Sequence, residues 1–269
     1  MTRNLRFKSP IGVLALAAIC VCFSAVAPAV AGTFNWGDLS DGGIMYLNVE
    51  ETNTQANALF DMNPGSGSPD VIGDQIFFDP QNFQSQSSGG GADLIDSTLT
   101  TTLMAPTGKF IDNIQIDEFG DHSLGGLPGG AAIAEVGAAF FWTILEIDNL
   151  ANPQPTQTQN MLFTTGGGPN GGEYDRPGDD GTAVLFDGSV FIDVAGYLAE
   201  QSIDGRATKV RLRFDNTLQT AADAVSNAFI KKKEINGIVI TPNIPEPASI
   251  MLMLIALVLT AAAARARRV

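Results

Sequence analysis

The sequence predicts an all-β fold. The architecture expected is an antiparallel β-sandwich, with a jelly roll among the topologies that fit, flanked by an N-terminal signal helix and a C-terminal transmembrane helix. Three observations carry this. The stretch 32–243 is rich in Gly, Asn, Asp, Ser and Thr and poor in charged helix formers. Its apolar residues come in about a dozen short runs separated by Gly, Pro and Asp turns, the pattern of strands in two packed sheets. No segment repeats at a fixed period, and no series of coherent helices supports an α/β fold.

The chain opens on a basic segment with Arg3, Arg6 and Lys8, then an apolar stretch over 11–26. Ala29-Val30-Ala31 supplies small residues on either side of one position, as a signal peptidase requires. Cleavage there puts the mature start at Gly32 and assigns 1–31 to a Sec-type signal peptide. Cys20 and Cys22 both lie inside it, so the mature chain has no disulfide, thiolate metal site or Cys nucleophile.

The body, 32–243, holds 28 of the 29 acidic and 9 of the 15 basic residues, a net charge of −19. Asp outnumbers Glu about two to one over the whole chain. Duplex nucleic acid is excluded as a partner, because a phosphate backbone needs a basic footprint. Strong acidity suits solubility and the binding of divalent cations or basic surfaces.

Strands are expected over 34–39, 44–49 and 76–78, with a turn at Asp41-Gly42-Gly43 and loops over 63–70 and 84–92. Residues 93–105 read as a long strand. Leu94, Leu99 and Leu103 do not share one face, so a bulge is expected there. Residues 110–117 read as a strand, and 120–130 as turn and loop. Over 131–150, Phe140, Trp142 and Ile144 alternate with Thr143 and Leu145, which favours one or two strands over a helix. The stretch 152–159 is an exposed connector and 166–181 a long Gly/Asp loop. Further strands are expected over 161–164, 184–186, 190–194 and 210–214. In the last, Val210, Leu212 and Phe214 face inward and Arg211 and Arg213 outward. Asp215-Asn216 reads as a turn, 221–224 as one helical turn, and 229–233 and 238–240 as the closing strands.

The last segment, 244–269, has three parts. Pro245-Glu246-Pro247 stops the extended arm, because neither proline continues a helix upstream. The 17 residues 248–264 carry no charge and as a helix would span about 25 Å, the lower end of what crosses a bilayer. Arg265, Arg267 and Arg268 form a basic stop that holds the C-terminus on the cytoplasmic side.

This order resembles the PEP-CTERM sorting signal of Gram-negative surface proteins. The resemblance implies that Pro245-Glu246-Pro247 is the recognition site of an exosortase-type protease and that the helix is a temporary anchor. The alternative is a permanent single-pass anchor. Phe77-Phe78-Asp79-Pro80-Gln81-Asn82-Phe83, Phe119-Gly120-Asp121 and Phe214-Asp215-Asn216-Thr217-Leu218 are similar to phrases of PEP-CTERM ectodomains, as is Lys232-Lys233 before 237–240. The implied route is the Sec translocon and signal peptidase, a transient single-pass stage in the inner membrane, then the cell surface or extracellular matrix.

No Walker loop, dinucleotide fingerprint, H-E-x-x-H motif or Gly-x-Ser-x-Gly elbow occurs. The single histidine, His122, reads as an exposed loop residue. The densest acidic cluster offers Asp175, Asp179 and Asp180 as calcium ligands, although its spacing is not that of an EF-hand. Otherwise no cofactor is expected. Trp36, Trp142, Tyr46, Tyr174 and Tyr197 are candidates for a sugar-stacking platform, with Trp142 more suited to the core. Trp36 is placed to pack over an open sheet edge.

The main functional expectation is an exported, acidic structural or adhesive protein of the polysaccharide matrix, not an enzyme. The alternative is a secreted carbohydrate- or calcium-binding module. A glycan hydrolase ranks third, and would need two close carboxylates in a cleft with a raised pKa on one.

Overall fold

The computed structural model describes residues 32–245. They form sixteen strands and one short helix. The first sheet runs, in spatial order, β1 (Gly32–Leu39), β2 (Met45–Asn53), β6 (Ala92–Met104), β14 (Ala207–Ala222), β8 (Ala132–Ile147) and β10 (Gln157–Asn160). Two short strands, β9 (Leu150–Ala151) and β12 (Glu173–Asp175), also pair with β8. The second sheet runs β11 (Leu162–Phe163), β13 (Gly181–Asp193), β7 (Asn113–Gly126), β16 (Ile238–Asn243), β4 (Gln75–Phe78) and β3 (Asp70–Ile72). β16 covers only the first part of β7. The rest pairs with β15 (Ser226–Lys232), which in turn carries β5 (Gln84–Ser88).

Every pairing between these strands is antiparallel. The expected all-β, two-sheet antiparallel architecture is therefore what the body adopts. The core lies between the sheets. From β14, Val210, Leu212, Phe214 and Leu218 point into it, and from β8 Phe140, Trp142 and Ile144. The Phe140 and Phe214 rings stack at 4.2 Å. Phe60 meets Phe78, Phe83 and Phe214 edge-on. Such aromatic pairs add about 0.5–1.5 kcal/mol each beyond their burial.

Strand extents depart from the sequence reading in instructive ways. Gly120 to Gly126, expected as loop, continue β7. Gly120 lies under the Phe186 ring, where a Cβ would clash at 2.0 Å, so this glycine serves packing rather than turning. Asp215-Asn216, expected as a turn, lies in the middle of β14, and 221–222 ends that strand instead of opening a helical turn. Gln84–Ser88 is a strand whose inward residues are Ser85 and Ser87. β6 keeps an unbroken register with β14, so no bulge forms there and Leu94 is simply 55% exposed. The irregularity sits on the other side, between Leu47 and Glu50 of β2.

The helix α1 (Val194–Glu200) follows β13. Asp193 caps it by accepting the Gly196 N–H at 2.8 Å. Residues 190–194 had read as pure strand, and the switch at Val194 is set by that cap.

One part of the expected architecture is corrected. Among the described residues no helix is long and apolar enough to cross a membrane, and α1 has seven residues. The flanking signal and transmembrane helices are not part of the fold described. They were expected over 1–31 and 248–264, outside the described residues.

Candidate functional site

The outward face of the first sheet follows from its register. On β14, Arg211 stands between Thr102 of β6 and Thr143 of β8. Two residues on, Arg213 stands between Thr100 and Phe141, and Asp215 between Thr98 and Ala139. Glu50 of β2 and Thr158 of β10 extend the Arg213 row at its two ends. The alternation that buries Val210, Leu212 and Phe214 places these side chains on the outer face, where only Thr143 is buried.

Thr100, Phe141, Thr143, Thr156, Arg211 and Arg213 line an open groove of about 340 Å³, near the small end of ligand clefts. Arg213 is held in place. Its guanidinium donates to both Asp215 oxygens, at 3.0 and 3.2 Å, and lies 5.3 Å from the centre of the Phe141 ring. The Thr98 hydroxyl donates to Asp215 at 2.7 Å. The Thr143 and Thr156 hydroxyls are 2.8 Å apart. Lys209 donates to Glu146 at 2.5 Å. Arg211 differs from both of these cations, since no carboxylate or other acceptor among the described residues meets its guanidinium. The groove thus joins an aromatic ring, hydroxyls and one unpaired guanidinium, a set able to hold a polyhydroxylated ligand.

A second cluster lies further along the same sheet. Glu173 of β12 is the direct cross-strand partner of Glu135 on β8. Burial raises the Glu135 pKa, and the Glu173 charge raises it further. Both border a partly open pocket of about 160 Å³ that Pro169, Asn170 and Gly171 also line.

Of the expected calcium ligands, Asp175 ends β12 and Asp179 and Asp180 lie in the turn that follows, where both carboxylates are engaged. Asp179 accepts the Asp175 N–H at 2.9 Å, and Asp180 accepts from Arg176 at 2.8 Å. Among the described residues no three His, Cys, Asp or Glu side chains are grouped to hold a metal ion.

The aromatic candidates do not form a platform. Tyr46, Tyr174 and Trp142 are buried, and Tyr197 packs edge-on against Trp142 at 5.3 Å. Trp36 is half-buried against the core and donates to the Met62 carbonyl at 2.9 Å.

His122 is corrected from an exposed loop residue to an inward residue of β7, 1% exposed and stacked on Tyr174 at 3.9 Å. Neither ring nitrogen has a well-formed hydrogen bond. Burial lowers its pKa, with the Asp179 backbone and the Asp179 and Asp121 carboxylates opposing.

Two buried polar groups escaped sequence reasoning. Glu118 and Lys232 pair between the sheets with no exposed surface on either side chain. Asn216 donates to the other Glu118 oxygen at 2.6 Å, and Lys232 lies 5.1 Å from the Phe83 ring centre. Burial lowers the Lys232 pKa, opposed by Glu118. Glu51, also fully buried, accepts from the Leu59 and Phe60 N–H groups at 2.8 and 3.0 Å and from the Ser97 hydroxyl at 2.7 Å. It thereby ties the loop after β2 to the sheet. Its pKa is raised by burial, against those hydrogen bonds. The only sequence signal was position. Glu118 and Lys232 fall on the inward register of strands whose neighbours are apolar.

Among solved structures, the chain is similar to TmCBM61 in complex with beta-1,4-galactotriose, at 8% identity and a TM-score of 0.22, over 58% of this chain and 67% of that one. It is also similar to a family 11 xylanase from Neocallimastix patriciarum, at 11% identity and a TM-score of 0.20, over 80% of this chain and 100% of that one. A family 12 xyloglucanase from Bacillus licheniformis matches at 12% identity and a TM-score of 0.20, over 80% and 100%. At these TM-scores the likeness carries no argument about binding or catalysis. No curated protein matches the chain.

Two expectations are corrected here. With no membrane-crossing helix among the described residues, the transient inner-membrane stage is not retained. The main functional reading, a structural or adhesive protein sorted through a transmembrane segment, is set aside with it. Of the sorting tripeptide, Pro245 is the last described residue. It follows Ile244, which packs against the core just past β16. Glu246, Pro247, Arg265, Arg267 and Arg268 lie outside the described residues, as do Ala29 and Ala31. Residues 243–268 match the PEP-CTERM protein-sorting motif. The chain therefore carries the signal that directs export to the cell surface through an exosortase-type system.

Proposed function

We propose that the body is a secreted, non-catalytic carbohydrate-binding module, delivered to the cell surface by its C-terminal motif, with the outer face of the first sheet as its contact surface. The groove at Arg211, Arg213 and Phe141 is the observation that carries this reading. Sugars present apolar C–H faces and a rim of hydroxyls. An aromatic ring covers the first, and threonine hydroxyls and guanidinium N–H groups satisfy the second. The polysaccharide outside the cell is the natural ligand class. Entry through the Sec translocon, with signal peptidase cutting after Ala31, completes the proposed route.

The test is affinity electrophoresis of the exported protein through gels holding neutral and acidic polysaccharides. At least one polymer should retard it, and Phe141→Ala should weaken the retardation. Unretarded migration in every gel contradicts the reading.

A glycan hydrolase is the second reading, favoured by the Glu135–Glu173 pair. Release of reducing ends, abolished in Glu135→Gln, would establish it in place of the non-catalytic one. Processing at the C-terminus is tested by intact mass. Glu246→Ala should accumulate the form ending at Val269, whereas normal processing of that variant contradicts the assignment of Pro245-Glu246-Pro247 as the recognition site.

A further inference from the structure

Resting on the carbohydrate reading, we infer that the glycan is acidic, a polymer carrying carboxylates, and that Arg211 is the residue that recognises them. The argument starts from the scarcity of free positive charge. The body has 28 acidic and 9 basic residues, and five of those cations, Arg176, Lys209, Arg213, Lys231 and Lys232, pair with a carboxylate. Both outward neighbours of Arg211 on β14 do so, Lys209 with Glu146 and Arg213 with Asp215. Arg211 has threonines on both flanking strands instead, Thr102 and Thr143.

The register decides this placement. On β14 the Asp215 carboxylate sits four residues from Arg211 and on β8 Glu146 lies three residues beyond Thr143, while the row of Arg211 holds Thr102, Thr143 and Leu47 and no carboxylate. A guanidinium left in this setting presents its planar N–H fork to the groove. That fork matches a carboxylate by two parallel hydrogen bonds. Beside it stand Thr102, half-buried, and the exposed Thr156, whose hydroxyl meets that of the buried Thr143 at 2.8 Å; these flank the place a sugar ring would take. Arg213 is already occupied by Asp215 and the Phe141 ring, so it shapes the groove rather than claiming the anion.

The charge balance sets a second expectation. At a net charge of −19 the body as a whole repels a polyanion. Salt screens that long-range repulsion more than it weakens a close, partly desolvated bidentate contact. Moderate salt should therefore change binding far less than loss of Arg211 does.

The experiment is affinity electrophoresis of the full exported protein through polygalacturonate, carboxyl-reduced polygalacturonate and neutral galactan, with a chelator present to remove calcium bridges. Expected is retardation by polygalacturonate alone, weakened about tenfold or more by Arg211→Gln, with Arg211→Lys between the two. Arg211 is exposed, so the variant should melt as the parent does, and thermal unfolding checks that it is folded. Equal retardation by the reduced and neutral polymers overturns the acidic inference and leaves the carbohydrate reading standing. Retardation by polygalacturonate that Arg211→Gln does not change overturns the role of Arg211. No retardation by any polymer overturns both readings.

Discussion

Lys232 and Glu118 form an ion pair sealed between the two sheets, whereas Arg213 and Asp215 form one on the outer face of the first sheet, open to water. The chemistry is the same and the consequences are opposite. Inside, each charge has lost its hydration, and the pair is tolerated only because Asn216 and the Phe83 ring add further contacts. Outside, water screens the pair, and its contribution to stability is small. The buried pair therefore bears on folding and the exposed one on the shape of a surface. A residue that matters for binding should be nearly silent in stability, and the reverse.

The largest expected effect breaks the inner pair. Glu118→Ala leaves Lys232 buried without a counter-charge and should cost about 3–5 kcal/mol, read from urea unfolding. Replacing both partners together, Glu118→Leu with Lys232→Met, should recover most of that loss. If the double variant is as unstable as the single one, the pair has a role beyond compensating its own burial.

Next comes pH. The folded-state pKa of His122 is lowered by burial, so the unfolded chain binds more protons between that value and about 6.5. Its contribution is fully present above about 6.5 and is lost as pH falls through the lowered value. His122→Phe should flatten the fall in melting temperature between about pH 7 and 5. An unchanged slope would mean that another group carries the acid sensitivity.

On the outer face, Arg213→Ala should cost no more than about 1 kcal/mol and Arg211→Ala about 0.5 kcal/mol or less. Both should nonetheless impair glycan binding, which separates the two regions directly. The smallest effect is at the carboxylate pair. Removing the cross-strand repulsion by Glu135→Gln should stabilise by a few tenths of a kcal/mol. The folded pKa of Glu135 is raised, so its penalty appears as pH rises through that value. The gain from Glu135→Gln should therefore be present at neutral pH and disappear below about pH 4.

The contrast between inside and outside also explains what the sequence could show. Clean alternation made Val210, Leu212 and Phe214 of β14 and Phe140, Trp142 and Ile144 of β8 legible as core, because one face of each strand is apolar. Alternation placed Arg211 and Arg213 on the outer face for the same reason. It failed where the inward residues are polar or small. Ser85 and Ser87 disguised β5 as loop, and Gly120 and His122 disguised the end of β7. Lys232 is the middle one of three consecutive lysines, yet it points into the core at the same register as Ile230 and Ala228. The groove needed register as well, since Thr100 and Phe141 are far apart in the chain and become neighbours only across β14.

The central claim is that ligand meets the outer face of the first sheet. Chemical-shift mapping of the isotopically labelled exported protein, titrated with oligogalacturonate, tests it most directly. The account predicts that the perturbed amides centre on Thr100, Thr102, Phe141, Thr143, Arg211 and Arg213. Perturbations centred on Phe119, Leu185 and Phe191, which stand exposed on the opposite sheet, would contradict it.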